Sequence, residues 1–231
     1  MNNKNLSKKI LSWYDNNKRT LPWRISENFK KKQYFRILSE FMLQQTQVKT
    51  VIPYFNNFVK KIPNLKALSM SSEKKVLKLW EGLGYYRRAK NLHKTSKILF
   101  KKYKGQIPES FIKLKELPGI GEYTANMLLA LIHNQPRIAA DGNVKRVLFR
   151  LFKITNTKDV ANLFNTKRRA DLAEALVEFG ALICKPKEPK CTECNINKMC
   201  AYFKSESKFK FSVKNKIYLK SYDIFCYLKK K

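Results

Sequence analysis

The sequence predicts an all-α protein, and three observations predict it. Apolar residues recur at helical spacing in successive stretches, as in Leu6, Ile10, Trp13 and Tyr14 and again in Val48, Val51, Ile52, Phe55, Phe58, Val59 and Ile62. Between these stretches stand prolines and glycines of the kind that stop a helix, at Pro22, Pro118 and the run Gly82-Leu83-Gly84. Strand-like alternation is absent before Lys208, and no internal repeat occurs.

The first helix runs from Leu6 to Asn17 and is ended by Leu21-Pro22-Trp23-Arg24. Ile25 to Lys32 is polar and lysine-rich and reads as a loop. A second helix spans about Gln33 to Gln45, with Tyr34, Ile37, Leu38 and Phe41 at i, i+3, i+4 and i+7. Glu40 falls off that stripe, on a face that water would ordinarily solvate. The Val48–Ile62 stripe follows, with Pro53 as a kink, and Ser72 caps a short helix through Trp80. Glu81 to Tyr86 is a glycine-broken loop, Arg88 to Tyr103 a helix, and Lys113 to Leu117 a short helix stopped by Pro118. Tyr123 to Ile132 is nearly all apolar, as a buried central helix would be. Asp141 opens a helix through Phe152, and Arg168 to Ile183 forms the last long one. Beyond Lys208, Ile217, Tyr218, Leu219, Ile224, Phe225 and Tyr227 sit among lysines without helical period, which reads as a basic tail with one strand.

A content of 44% hydrophobic and 13% aromatic residues over 231 positions excludes a disordered chain and allows one large or two modest cores. The formal charge of +32, from 49 Lys and Arg against 17 Asp and Glu, calls for a polyanionic partner, with nucleic acid favoured over an anionic membrane surface. No apolar run approaches the ~20 residues of a membrane span, and the N-terminus lacks a signal-peptide core, so a soluble intracellular protein is expected. Five cysteines, four of them in one short stretch, argue against a secreted disulfide framework and for a metal site in a reducing compartment.

Two motifs carry chemistry on their own residues. Leu117-Pro118-Gly119-Ile120-Gly121-Glu122-Tyr123 reads as a tight turn opening into a helix. Gly119 and Gly121 can take positive φ and let backbone N–H groups approach a phosphate, with the positive helix end behind them. An ordinary helix–helix corner is the alternative. Cys184, Cys191, Cys194 and Cys200 deliver four thiolates from one loop, a set that holds either zinc or an iron-sulfur cluster. Only Cys191 and Cys194 have the C-x2-C spacing of a zinc knuckle. Lys185, Lys187 and Lys190 stand inside that loop as phosphate contacts or as solvated lysines. Cys226 lies outside the pattern, and His93 and His133 lack partners at ligand spacing and read as structural.

The glycine turn, the downstream Asp141 and the cysteine loop together resemble the helix-hairpin-helix DNA glycosylase superfamily. The cysteine spacing, preceded by Leu176-Val177-Glu178-Phe179-Gly180, is similar to the 4Fe-4S loop of its endonuclease III and MutY branches. Leu38-Ser39-Glu40-Phe41-Met42-Leu43-Gln44-Gln45-Thr46-Gln47-Val48 is similar to the MutY-type adenine DNA glycosylases. So are Leu21-Pro22-Trp23-Arg24, Trp80-Glu81-Gly82-Leu83-Gly84-Tyr85-Tyr86, Asn91-Leu92-His93 and Asp141-Gly142-Asn143-Val144-Lys145-Arg146-Val147. The resemblance covers roughly residues 6 to 203.

The resemblance implies two helical lobes flanking a DNA-binding cleft: residues 30–135 as a six-helix lobe with the helix-hairpin-helix, 1–29 plus 136–204 with a 4Fe-4S loop held by the four cysteines, and a basic tail at 205–231. It implies hydrolysis of the glycosidic bond of adenine opposite 8-oxoguanine or guanine. Glu40 would protonate adenine N7, while Asp141, with Asn143 in the same motif, would face the sugar. Breaking that bond needs a better leaving group and a stabilised oxocarbenium-like sugar, the demands that paired carboxylates meet in glycoside hydrolysis. An apolar pocket would keep Glu40 protonated near neutrality and a helix N-terminus would keep Asp141 ionised, although Asp141 also reads as a plain N-cap. Lyase members carry a lysine where this chain has Tyr123. A phenol cannot form their Schiff base, so a monofunctional enzyme is expected. By the same resemblance Gln45, Leu83 and Tyr85 are the wedge and opposite-base readers, and Trp23, Arg24 and Glu174 line the adenine pocket. A flipped base is read in this way. A monomer acting on duplex DNA in the cytoplasm, associated with the nucleoid, is expected. A thymine-mismatch glycosylase and a non-catalytic, cluster-bearing DNA-binding module are the competing readings.

The chain also departs from the family pattern. Asn28–Lys32 is a lysine-rich insertion, the stretch Arg150–Leu172 is short, and Asn195 stands where a proline usually follows the third cysteine. The family's C-terminal NUDIX-like domain is not found, so weaker discrimination between 8-oxoguanine and guanine is expected.

Overall fold

The structure is a computed structural model that describes residues 3–25, 28–156 and 160–205. The expected basic tail beyond Ser205, its strand and Cys226 lie outside the described residues. The order is α1 Asn3–Asn17, α2 Phe29–Leu43, α3 Val48–Lys61, α4 Leu65–Met70, α5 Glu73–Trp80 and α6 Arg87–Tyr103. It continues with α7 Phe111–Lys115, α8 Glu122–His133, α9 Gly142–Phe152, α10 Arg169–Leu182 and α11 Ala201–Lys204. Short 3-10 turns lie at Pro22–Arg24, Val160–Leu163 and Asn197–Met199, and the described residues contain no strand. No helix among them is long and apolar enough to cross a membrane.

Two hydrophobic cores organise these helices. The larger is built on Phe41, Phe55, Phe58, Trp80, Leu92 and Leu128, from α2, α3, α5, α6 and α8. The smaller joins Leu6, Ile10 and Tyr14 of α1 to Val144 and Leu148 of α9 and to Leu176 and Phe179 of α10. Helix α10 serves both: Ala173 belongs to the larger core, and its neighbours Leu172 and Ala175 belong to the smaller. This shared helix carries Glu174 and Glu178 into the seam between the lobes, and a cleft forms where the lobes part.

Several elements differ from their sequence reading. Helix α2 starts at Phe29 rather than near Gln33, because Asn28 accepts a hydrogen bond from Lys31 N at 2.8 Å and nucleates a solvated lysine-rich first turn. The six-residue α4, capped by Asn64, makes seven helices rather than six between Phe29 and His133. Leu21 and Trp23, placed by sequence with the lobe of residues 1–29, pack into the larger core, where the Trp23 ring meets Phe55 edge-on. Helix α7 stops at Lys115, before Pro118 is reached.

Gly119 has φ 80°, and a Cβ there would come within 2.8 Å of Phe41 and Asn91 side-chain atoms, so only glycine fits this turn. Gly121 corrects the sequence reading. Its φ of −85° and ψ of −178° are extended backbone that any residue adopts. It is the N-cap of α8 and supplies no side chain to the helix end, so the first N–H groups of α8 receive no side-chain cap there.

Candidate active site

Glu40 sits on α2 and is 8% exposed, which replaces the solvated position expected from its place off the apolar stripe. One turn before it, Arg36 is also buried, and its Nη1 donates to Glu174 Oε1 at 2.6 Å. Glu174 Oε1 accepts from Arg24 Nε at 2.8 Å, and Glu174 Oε2 accepts from Tyr14 OH at 2.8 Å. Glu178 continues the seam, taking Arg24 Nη2 at 3.0 Å and Arg19 Nε at 2.9 Å. Burial alone would raise the Glu174 carboxyl, but Arg36 and Arg24 outweigh it and hold Glu174 below the usual carboxylate range. For Glu40 the balance is reversed. Burial, against the opposing pull of Arg36 and with the added repulsion of Glu174 and Asp141, pushes it up from 4.5 to about 8.

Asp141 caps α9, with Oδ1 accepting from Val144 N at 2.7 Å and Oδ2 from Asn143 Nδ2 at 3.2 Å. Tyr123, in the first turn of α8, is pushed well above its ordinary pKa by burial and then by the Glu40 and Asp141 carboxylates, so it is a neutral phenol. Glu40, Tyr123 and Asp141 therefore stand within electrostatic reach of one another, across the boundary between the lobes. Tyr123 opens onto a cleft of about 660 Å³ lined also by Glu122, Asn126, Arg137, Ala140 and Lys145. Of the three, Tyr123 is the one on the cleft wall; a buried, protonated carboxylic acid and a helix-capping aspartate near each other can donate a proton to a leaving group and stabilise a developing cation.

Of the three expected base readers, Gln45 and Tyr85 are exposed, and Tyr85 is 61% exposed. Both adopt left-handed backbone, with φ 57° and 49°. Leu83 differs: it is 5% exposed and belongs to the larger core, because the glycine-broken loop folds its side chain inward. As placed, it cannot serve as a wedge. Trp23 is equally buried, while Arg24 and Glu174 are committed to the seam pairs.

Cys184, Cys191, Cys194 and Cys200 form no disulfide with one another, are partly exposed, and all four line one cavity with Val147, Arg150, Phe179, Ile196 and Tyr202. Burial first, and then the other three cysteines, push Cys194 up to about 11, so the four share one environment. Among the described residues, no three of them converge as ligands of a single metal ion. Arg150 fixes the start of this loop, donating to Lys185 O at 2.6 Å, Pro186 O at 2.8 Å and Cys184 Sγ at 3.4 Å. Lys190 is paired with Glu193 at 2.9 Å in an exposed ion pair, which competes with the phosphate contact expected of it.

With this geometry in place, comparison with known proteins is decisive at the family level. Residues 38–169 match the model of the HhH-GPD superfamily of base excision DNA repair proteins. The chain belongs to that superfamily. This HhH-GPD chain is 41% identical over 218 residues to the adenine DNA glycosylase of Buchnera aphidicola subsp. Baizongia pistaciae, covering 89% of itself and 60% of that relative. It is 37% identical over 207 residues to the adenine DNA glycosylase of Rattus norvegicus, covering 83% of itself and 40% of that protein. The chain thus spans about three-fifths of the first relative's length. Its fold is similar to that of a thermostable thymine-DNA glycosylase, with TM-score 0.76, 24% identity, and coverage of 86% of this chain and 94% of that one. A trapped endonuclease III–DNA covalent intermediate has TM-score 0.66 and 21% identity, with coverage of 84% and 91%.

Three residues of the HhH-GPD chain matter to this site without a role of their own in the sequence. Arg36, one turn before Glu40, holds Glu174. Arg146 donates to Asn143 Oδ1, Gly180 O and Cys184 O, each at 2.8 Å, tying the Asp141 cap to the start of the cysteine loop. Gly180 lets α9 and α10 approach: a Cβ there would lie 2.8 Å from Asn143 Cβ. The i, i+4 spacing of Arg36 to Glu40 was visible in sequence, but its partner lies 138 residues away. No local signal marks Gly180.

Proposed function

We propose that this chain is a monofunctional adenine DNA glycosylase, acting as a monomer in the cytoplasm on adenine mispaired with 8-oxoguanine or guanine in duplex DNA. What carries this reading is Glu40, a carboxyl only 8% exposed and pushed up to about 8 by its burial, within electrostatic reach of Asp141 and Tyr123. Glu40 donates that proton to adenine N7, the N9–C1′ bond breaks with its electron pair going to the base, and adenine leaves neutral. Asp141, held by Val144 N and Asn143, stabilises the positive sugar until water adds at C1′ and gives up a proton to solvent. Tyr123 offers no amine, so no Schiff base forms and the abasic strand stays intact.

The division into residues 30–135 and 1–29 plus 136–204 puts Glu40 and Tyr123 on one lobe and Asp141 on the other, so the lobes must be docked for both carboxylates to act. The uncapped first turn of α8, behind Gly119 and Gly121, suits a DNA phosphate. Gln45 and Tyr85, exposed beside the Glu40 helix, are the residues that meet the base opposite adenine. Trp23, Arg24 and Glu174 act from beneath as walls of the pocket, and Leu83 supports the loop that carries Tyr85.

The four thiols line one cavity, and a donor set of four thiolates suits a 4Fe-4S cluster, which takes one thiolate per iron. Such a cluster, when bound, supplies a rigid brace for the 184–200 loop. Lys185 and Lys187 then face DNA as phosphate contacts. The test is a single-turnover assay over duplexes holding adenine opposite 8-oxoguanine, guanine, cytosine or thymine, and thymine opposite guanine, with borohydride present in parallel. Adenine release from the first two without a trapped adduct is expected. Release of thymine alone, or efficient trapping, contradicts the reading.

A further inference from the structure

The two residues read above as base contacts share an unusual backbone. Gln45 and Tyr85 both lie in the left-handed region, φ 57° and 49°, which residues with side chains rarely occupy unless their surroundings over-determine it. Both are exposed, so burial of their side chains does not hold them there. What holds them is underneath. Arg88, on α6, is 7% exposed. Its Nη1 donates to Met42 O at 2.7 Å, to Phe41 O at 3.3 Å and to Gln44 O. Its Nη2 donates to Gly84 O at 3.1 Å and to Leu83 O at 3.2 Å.

The first set of carbonyls belongs to the end of α2, whose last carbonyls have no partner within the helix. The second set belongs to the glycine-broken loop. One planar guanidinium therefore fastens the segment that presents Gln45 to the segment that presents Tyr85. Its flat faces are used as well, since the Arg88 guanidinium carbon lies 5.5 Å from the Trp80 ring centroid and 5.3 Å from that of Tyr85. Trp80 Nε1 adds a bond to Gly84 O at 3.1 Å. A lysine at this position keeps the charge but cannot span five carbonyls or stack between two rings.

We propose that Arg88 is a positioning residue for specificity, a buried clamp that keeps Gln45 and Tyr85 in register so that they meet the opposite base together. This rests on the reading of Gln45 and Tyr85 as base contacts. Arg88 is buried and spends its hydrogen bonds on backbone carbonyls rather than on Glu40, so its loss should alter discrimination more than chemistry.

The experiment compares Arg88→Lys, Gln45→Ala, Tyr85→Ala and the double variant Arg88→Lys/Tyr85→Ala in the full chain. Synthetic duplexes carry adenine opposite 8-oxoguanine or opposite guanine, and single-turnover rates at saturating enzyme are measured beside affinities. Arg88→Lys is expected to reduce the ratio between the two duplexes by roughly tenfold while the saturated rate on the better one stays within about threefold, and to add little on top of Tyr85→Ala, as coupled neighbours do. Retained discrimination in Arg88→Lys beside its loss in Tyr85→Ala overturns the clamp while sparing the base contacts. Equal slowing on both duplexes also overturns it, since that is what a merely structural arginine produces. Undiminished discrimination in both alanine variants overturns the reading of the contacts and the clamp with it. Should Arg88→Lys fail to fold, hydrogen exchange of the wild-type Thr46 and Leu83 amides decides: one shared opening free energy supports the clamp, and independent opening overturns it.

Discussion

Replacing Glu40 by glutamine should make the protein more stable while removing its activity, and the size of the gain is set by burial. A carboxyl whose folded pKa is raised binds its proton more tightly in the folded chain than in the unfolded one. Below the ordinary value of 4.5 both states are protonated and Glu40 costs nothing through ionisation. As pH rises from 4.5 towards about 8, the unfolded chain releases the proton and the folded chain retains it, so stability falls along this interval. At about 1.36 kcal/mol per pH unit the loss is about 3 kcal/mol at pH 7 and on the order of 5 kcal/mol above pH 8. Glutamine has no proton to release, so Glu40→Gln escapes the loss. For a chain of this length about 3 kcal/mol corresponds to roughly 6 to 12 °C in Tm. The assay is thermal melting of both proteins from pH 4.5 to 9, where all other titrating groups are common to the pair. The curves should meet near pH 4.5 and diverge upward, with the variant melting higher. Parallel curves would show that Glu40 is ordinarily ionised in the folded chain and would refute the proton-donor assignment.

Other substitutions separate folding from chemistry. Asp141→Asn should keep the α9 cap, which asparagine supplies as well as aspartate, and lose adenine release, whereas Asp141→Ala should also lose about 1 kcal/mol of stability; equal activity in Asp141→Asn and wild type would remove Asp141 from the mechanism. Gly180→Ala drives a methyl to 2.8 Å from Asn143 Cβ and 3.1 Å from its backbone, so a loss of about 1–3 kcal/mol in denaturant melting and slower adenine release are expected. A variant as stable and active as wild type would mean that α9 and α10 separate freely. Purified protein should be brown with about four irons per chain, and Cys191→Ser should lose colour and iron together; stoichiometric zinc under iron-replete, anaerobic expression contradicts the cluster.

What was legible in the sequence was whatever local chemistry decides. Asp141 announces the start of α9 because an N-cap bonds three residues ahead, and Ser72 does the same for α5. The cysteines declare themselves by spacing alone. Helix α2 was read four residues short because its first turn is lysine-rich and carries no apolar stripe, although Asn28 was the available signal. Burial across the lobes was hidden for a different reason. Glu40 stands off its own helix's apolar stripe, so its burial is not announced there, and the neighbouring Arg36 is paired with Glu174 of α10, more than a hundred residues later. Leu83 was hidden likewise: a glycine-broken loop exposes its tyrosines and turns its leucine inward, and periodicity does not reach into loops. Nothing local to Arg88, read only as the start of a helix, marks the carbonyls it gathers from two distant segments.

The most direct measurement is adenine release under single-turnover conditions from a duplex with adenine opposite 8-oxoguanine, by wild-type protein and by Glu40→Gln. Both proteins should be shown beforehand to bind that duplex with similar affinity. Wild type should release adenine with a rate that declines as pH rises through about 8, and Glu40→Gln should bind but release none at any pH. Adenine release by Glu40→Gln at the wild-type rate would contradict the assignment of Glu40 as the proton donor.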